Sequence, residues 1–113
     1  RRGDRRVPDA VIVYEVNLYP QAAIEAEYRR WLDAHVREMR ALPGFLGAEL
    51  FERRDPAAPA GELALCVQYR LRDSEALEAY FRDHAPRLRA EGIARFGDRF
   101  RAERRVLASL ARY

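Results

Sequence analysis

Residues 10–18, AVIVYEVNL, alternate between two faces and are rich in β-branched side chains, the pattern of a strand. Ile12, Tyr14, Val16 and Leu18 share one face; Val11, Val13, Glu15 and Asn17 share the other. Pro20 follows where a helix can begin, since its missing N–H is no loss in a first turn. From Ile24 the period changes. Tyr28, Trp31, Leu32, His35, Val36, Met39 and Leu42 recur at three- and four-residue spacing, one buried stripe on one helix. Pro43-Gly44 ends it, because Pro disfavours helix at the preceding residue and Gly frees the turn. Alternation returns over 45–52, with Leu46, Ala48 and Leu50 facing one way and Phe45, Gly47, Glu49 and Phe51 the other. Residues 53–61, RRDPAAPAG, form a polar loop punctuated by Pro and Gly, as a hairpin connection would be. Its second arm is 62–71, with Leu63, Leu65, Val67, Tyr69 and Leu71 on the apolar face and Ala64, Cys66, Gln68 and Arg70 opposite.

Asp73 or Ser74 can cap a second helix whose stripe is Leu77, Tyr80, Phe81, His84 and Leu88. Pro86 predicts a kink or break near Ala85, after which helix resumes through Ile93 and stops by Gly97-Asp98. An Arg-rich last strand covers 100–108. The order is βαββαβ, a split βαβ or ferredoxin-like α+β arrangement: a four-stranded antiparallel sheet with two helices on one face. WLDAHV at Trp31–Val36 and YFRDHA at Tyr80–Ala85 echo one another, as two βαβ halves would. The face left bare carries Val11, Val13, Phe45, Phe51, Ala64 and Cys66 among Glu15, Asn17, Glu49, Gln68 and Arg70. So much apolar surface is expected to be covered by a second copy, giving a homodimeric α/β barrel with isologous contacts.

The length of 113 residues fits one core, so 10–113 is expected to be a single domain behind a disordered Arg-rich arm, residues 1–9. The chain opens on Arg1 rather than Met, and either a trimmed start or a longer reading frame is expected. No run approaches the ~20 apolar residues of a membrane span, and no signal segment opens the chain, so no membrane partner is expected. A single cysteine, Cys66, excludes an internal disulfide and any multi-cysteine metal site, which makes a reducing, cytoplasmic setting the default. Every basic residue is Arg, yet the net charge is only +3 and the arm holds four Arg against two Asp. The body of the domain is nearly neutral. The central-strand positions where an RNA-recognition module would expose aromatics are Val11, Val13, Glu15, Asn17, Ala64, Cys66, Gln68 and Arg70. None is aromatic, so no nucleic-acid partner is expected.

YEVNL at Tyr14–Leu18, EMRALPGFLGAELF at Glu38–Phe51 and HAPRLRAEGIARFGDRFRAERRVL at His84–Leu107 resemble a small bacterial family of unknown function. The resemblance covers the whole domain after the arm and is most specific in the last block. That family is similar to the ferredoxin-like dimeric α/β barrels, whose relatives include antibiotic-biosynthesis-type monooxygenases and stress-responsive barrel proteins. The resemblance implies fold and homodimer, and transfers no catalytic residue.

Candidate chemistry is sparse. His35 and His84, the two histidines, both fall in apolar stripes. They are the catalytic candidates, as a general-base or ligand pair in a cleft between helices and sheet. The alternative is a core histidine bonded to backbone, the better reading for His35 and level with the functional one for His84. Glu15, Glu49 and Arg70, with Asn17, are candidates for a polar ligand pocket inside a dimer barrel; Glu103 and Arg105 are possible additions, and structural ion pairing is the favoured alternative. Tyr14, Tyr28, Trp31, Tyr80 and Phe81 can line an aromatic cleft, although helix-facing aromatics are more often plain core. Asn17, Trp31 and His84 match the residue types of haem-degrading barrel relatives, but Trp31 falls on the first helix without their motif, and neither haem nor any other cofactor is expected. Cys66 reads as a small interface residue, and no metal or phosphate-binding motif occurs. No constellation outweighs its structural alternative. A small-ligand or partner-binding module is therefore ranked ahead of a cofactor-independent oxygenase or isomerase acting on a small aromatic or polyketide-like compound.

Overall fold

A computed structural model describes residues 10–113; the Arg-rich arm, 1–9, lies outside the described residues. Strands β1 (Ile12–Pro20), β2 (Phe45–Glu52), β3 (Leu65–Leu71) and β4 (Phe100–Ala108) alternate with helices α1 (Glu25–Arg40), α2 (Ser74–Asp83) and α3 (Ala85–Phe96). The sheet order is β2-β3-β1-β4 and every neighbouring pair is antiparallel. This is the ferredoxin-like α+β fold that the periodicity predicts, with its central strands one from each βαβ half. Asp73 is the cap of α2, its carboxylate accepting the Ala76 N–H at 2.9 Å.

Three local expectations change. Pro20 ends β1 instead of opening α1. The N–H groups of Gln21 and Ala22 are held by the carbonyls of Arg99 and Gly61, at 2.9 and 2.8 Å. The chain is thus tied to both neighbouring segments, and only after a single 3₁₀ turn at Ala22–Ile24 does α1 begin. Second, strand pairing in the hairpin starts at Leu65 rather than Glu62, which makes only an isolated bridge to Gln21.

The third change is Phe45, expected on the bare face. The register jumps from Phe45↔Leu71 to Gly47↔Arg70, so Leu46 is an extra residue in a β-bulge. The bulge turns Phe45 to the helix side, where its ring meets Tyr69 at 5.8 Å and Tyr80 at 5.4 Å. Leu46 is left 55% exposed.

Pro86 has the expected effect. It divides the second helical segment at His84, whose φ of −130° is not helical, and it sits within the first turn of α3, where no N–H is needed. Among the described residues, three helices rather than two therefore cover one face of the sheet. Between them Tyr14, Val67, Tyr69 and Leu71 from the strands bury against Tyr28, Leu32, Met39, Leu77, Leu88 and Phe96 from the helices.

Candidate functional site

The core is not filled throughout. A cleft of about 620 Å³ opens between the helices and the β1–β4 side of the sheet. Side chains at alternate positions of β1 supply its floor: Tyr14, Val16 and Leu18. Tyr28, Trp31, Leu32, His35 and Met39 project from α1 at helical spacing, and Leu88, Gly92 and Ile93 come from α3. A Cβ at Gly92 would come within 3.2 Å of the Trp31 ring, so glycine there lets α3 close on the indole. Arg104, from the helix side of β4, and Arg89, from α3, are exposed residues of the lining, and Asp98 adds a carboxylate.

Trp31 and His35 occupy positions i and i+4 of α1 and stack, ring centroids 4.6 Å apart and planes 17° from parallel. Burial holds the His35 pKa below its ordinary value of 6.5, against the opposing pull of Glu38 and Glu91. The imidazole is therefore neutral at pH 7, with a lone pair available to accept a proton. Burial also raises the Tyr28 and Tyr69 phenols and pushes Tyr80 up to about 12, so all three stay protonated donors. Tyr80 donates to the Met39 sulfur at 3.8 Å, and the Tyr14 oxygen accepts from Arg89 at 3.0 Å. The Tyr28 hydroxyl is fully buried and has no hydrogen-bond partner among the described residues.

The candidates from the sequence fall into three places. Tyr14, Trp31 and His35 meet in the cleft, joined by Tyr28 and Tyr80. Phe81 stands behind it, edge-on to Tyr14 at 5.4 Å. His84 is not part of the lining. It is half-buried at the joint of α2 and α3, where its N–H donates to the Tyr80 carbonyl at 2.9 Å and its own carbonyl accepts the Leu88 N–H at 3.1 Å. The two histidines do not form one site.

Glu15, Asn17 and Arg70 lie on the opposite face of the sheet. Glu15 is only 5% exposed, and its carboxylate accepts from Asn17 Nδ2 at 2.8 Å, Gln68 Nε2 at 3.1 Å and Arg105 Nε at 2.8 Å. The register puts Glu15 between Gln68 and Arg105, so Arg105 rather than Arg70 is its cationic partner. Arg70 instead lies across Gly47. The Arg105 hydrogen bond, opposed by burial and helped by Asn17 and Gln68, lowers the Glu15 pKa from 4.5 to about 2. Cys66 neighbours this group across the β1–β3 pairing, and burial raises its thiol pKa. A saturated carboxylate beside a protonated thiol is an ion-pair network, not a nucleophilic site.

Sequence reasoning did not place Arg89 or Arg104 in the cleft; Arg104 entered that reasoning only within the basic run Arg95, Arg99, Arg101, Arg104 and Arg105, diluted by Asp98 and Glu103 and set aside as a nucleic-acid surface. For Arg104 the signal was there: Phe100, Ala102, Arg104 and Val106 share the helix side of β4 by alternation. Among the described residues no cluster of three or more His, Cys, Asp or Glu could hold a metal ion, and no helix is long and apolar enough to cross a membrane.

Several solved structures share this fold. Rv0793 from Mycobacterium tuberculosis is similar at 24% identity, over 91% of this chain and 98% of its own, with a TM-score of 0.66. SnoaB from Streptomyces nogalater, a cofactor-independent oxygenase, is similar at 16% identity over 91% and 97%, with a TM-score of 0.66. A Deinococcus radiodurans protein assigned to the antibiotic biosynthesis monooxygenases is similar at 13% identity over 90% and 93%, with a TM-score of 0.61. At these identities the likeness is one of fold. No curated protein matches the chain in sequence. The model of one family, a domain of unknown function, matches residues 11–110, so on fold and sequence together the chain belongs to the DUF4286 family.

Proposed function

We propose that the chain is a homodimeric binding protein whose helix–sheet cleft takes up a small, planar, largely apolar molecule. The cleft itself carries this reading. Its 620 Å³ falls within the roughly 300–1,000 Å³ of small-molecule sites, and like them it sets a few polar groups into an apolar, aromatic wall. In this reading Tyr14, Trp31 and His35 contact the ligand, and His84 holds the α2–α3 joint. Glu15, Asn17 and Arg70 belong to the sheet face that a second copy covers. One domain over 10–113 and a reducing, cytoplasmic setting suited to the free Cys66 complete it.

Trp31 is the one tryptophan of the chain, so its emission reports the cleft alone. A fragment library screened by thermal shift should return flat aromatic compounds that raise the melting temperature and also change Trp31 emission. Stabilising compounds that leave Trp31 emission untouched would place binding elsewhere and refute the reading.

A cofactor-independent oxygenase or isomerase is the second reading, and His35 favours it. Such reactions begin by drawing a proton from an activated carbon, and a neutral imidazole in an apolar cleft suits that step. SnoaB shows that the fold accommodates such an oxygenase. Oxygen uptake or solvent-deuterium exchange with a compound that binds, lost in His35→Ala at concentrations that still saturate the cleft, would assign the activity. Binding with neither signal would leave the non-catalytic role.

A further inference from the structure

We infer that the ligand of the cleft is an aromatic anion, its negative group anchored at the mouth by Arg104. The inference deepens the binding reading above and rests on it. Its first support is the unequal charge of the lining: Arg89, Arg101 and Arg104 face a single carboxylate, Asp98. The three guanidinium groups are not equivalent. Arg101 is held at 3.2 Å by Glu62 and 3.7 Å by Glu103, and lies over the Tyr19 ring at 4.0 Å, which directs it to the other side of β4. Arg89 is bound to the Tyr14 hydroxyl at 3.0 Å and lies 5.7 Å over the Phe81 ring. Arg104 makes no ion pair or side-chain hydrogen bond among the described residues. Its charge nonetheless bears on Tyr28, His35, Tyr69 and Tyr80, shifting each toward its less protonated form. An uncommitted guanidinium beside an apolar cavity is the arrangement that recognises carboxylate or enolate oxygens.

The second support lies deeper. The Tyr28 side chain is fully buried in the cleft wall. The rings around it set the shape. Tyr28 lies 5.6 Å from Trp31, and Trp31 is itself stacked on His35, so a flat molecule finds ring faces where a bulky aliphatic one would not.

Titration calorimetry with 2-naphthoate and its neutral isostere 2-naphthamide separates charge from shape. The wild-type chain should bind naphthoate at least ten times more tightly than the amide. Arg104→Met should bring naphthoate binding down to the level of the amide with the melting temperature unchanged, and Arg104→Lys should retain part of the preference. Equal binding of the two probes would overturn the anionic class and leave the cleft as a ligand site. A naphthoate preference that survives Arg104→Met would overturn the anchor. If neither probe binds at millimolar concentration, the cleft reading itself fails, and the anion with it.

Discussion

Glu15 lies in a central strand with almost no exposure, and it keeps its charge because three side chains donate to it. The direction of its acid response follows. Its pKa is about 2 in the folded chain against 4.5 ordinarily, so the folded state binds fewer protons. The network's stabilisation is complete above pH 4.5 and is lost as the pH falls toward 2. Acid titration followed by circular dichroism should show stability dropping across that window, with a shallower drop in Glu15→Gln; equal slopes would refute the assignment. The histidines make a second contrast. His35 lines the cleft and His84 does not, so His84→Gln should keep aromatic-ligand binding and lower the melting temperature, while His35→Gln should weaken binding. The reverse pattern in calorimetry would move the site to the α2–α3 joint. Both histidines sit at the same point of two similar helical segments, and sequence reasoning favours His84 over His35 for function, the reverse of their places relative to the cleft. The difference arises because Pro86 breaks one segment and not the other, which is a tertiary consequence of a local rule.

Secondary elements were legible in the sequence to the extent that period alone defines them. β2 and β4 lie where alternation puts them, and α1 carries the stripe its spacing describes. The misplaced features are those where a neighbour, not the segment, decides. Pro20 stays extended because Gly61 and Arg99 hold the residues after it. Phe45 changes faces because one residue is inserted against β3, and a bulge leaves the composition of a strand unaltered. The cleft was legible only as a set of aromatics, since periodicity identifies the face on which a side chain lies and not whether the space opposite is full. Gly44, between α1 and β2, is a position where the element-level constraint is strict. Its φ is +85°, its carbonyl accepts the Arg72 N–H at 2.8 Å, and a Cβ there would collide with the Cβ of Ala76 in α2. Gly44→Ala combines backbone strain with a backbone-mounted clash, and should cost about 2 kcal/mol. Chemical denaturation would register that loss as a lower midpoint at unchanged slope; a midpoint equal to wild type would mean the turn relaxes freely.

At the scale of the molecule, helices cover one face of the sheet, and among the described residues nothing covers the other. The bare face has a polar centre and apolar flanks: the Glu15 network in the middle, with Val13, Cys66, Phe51 and Leu107 around it. Phe51 and Leu107 are 38% and 39% exposed in the single chain. A polar centre of this kind is compatible with coverage, because its charges already satisfy one another and no donor or acceptor of Glu15 is stranded when water leaves. The apolar flanks supply the drive for association, at about 25 cal/mol for each Å² removed from water. Two copies related by a two-fold axis would set flank against flank. Light scattering at micromolar concentration should therefore return twice the 13.1 kDa of the single chain. Leu107→Glu places an unpaired carboxylate in that contact on a residue already part-exposed, so it should shift the mass toward 13.1 kDa without unfolding the protein. Ile93→Glu is the matched control: Ile93 is 60% exposed on α3, on the helical side, and its replacement should leave the dimer intact. A wild-type mass of 13.1 kDa, or dissociation by Ile93→Glu and not by Leu107→Glu, would remove the sheet face as the dimer contact.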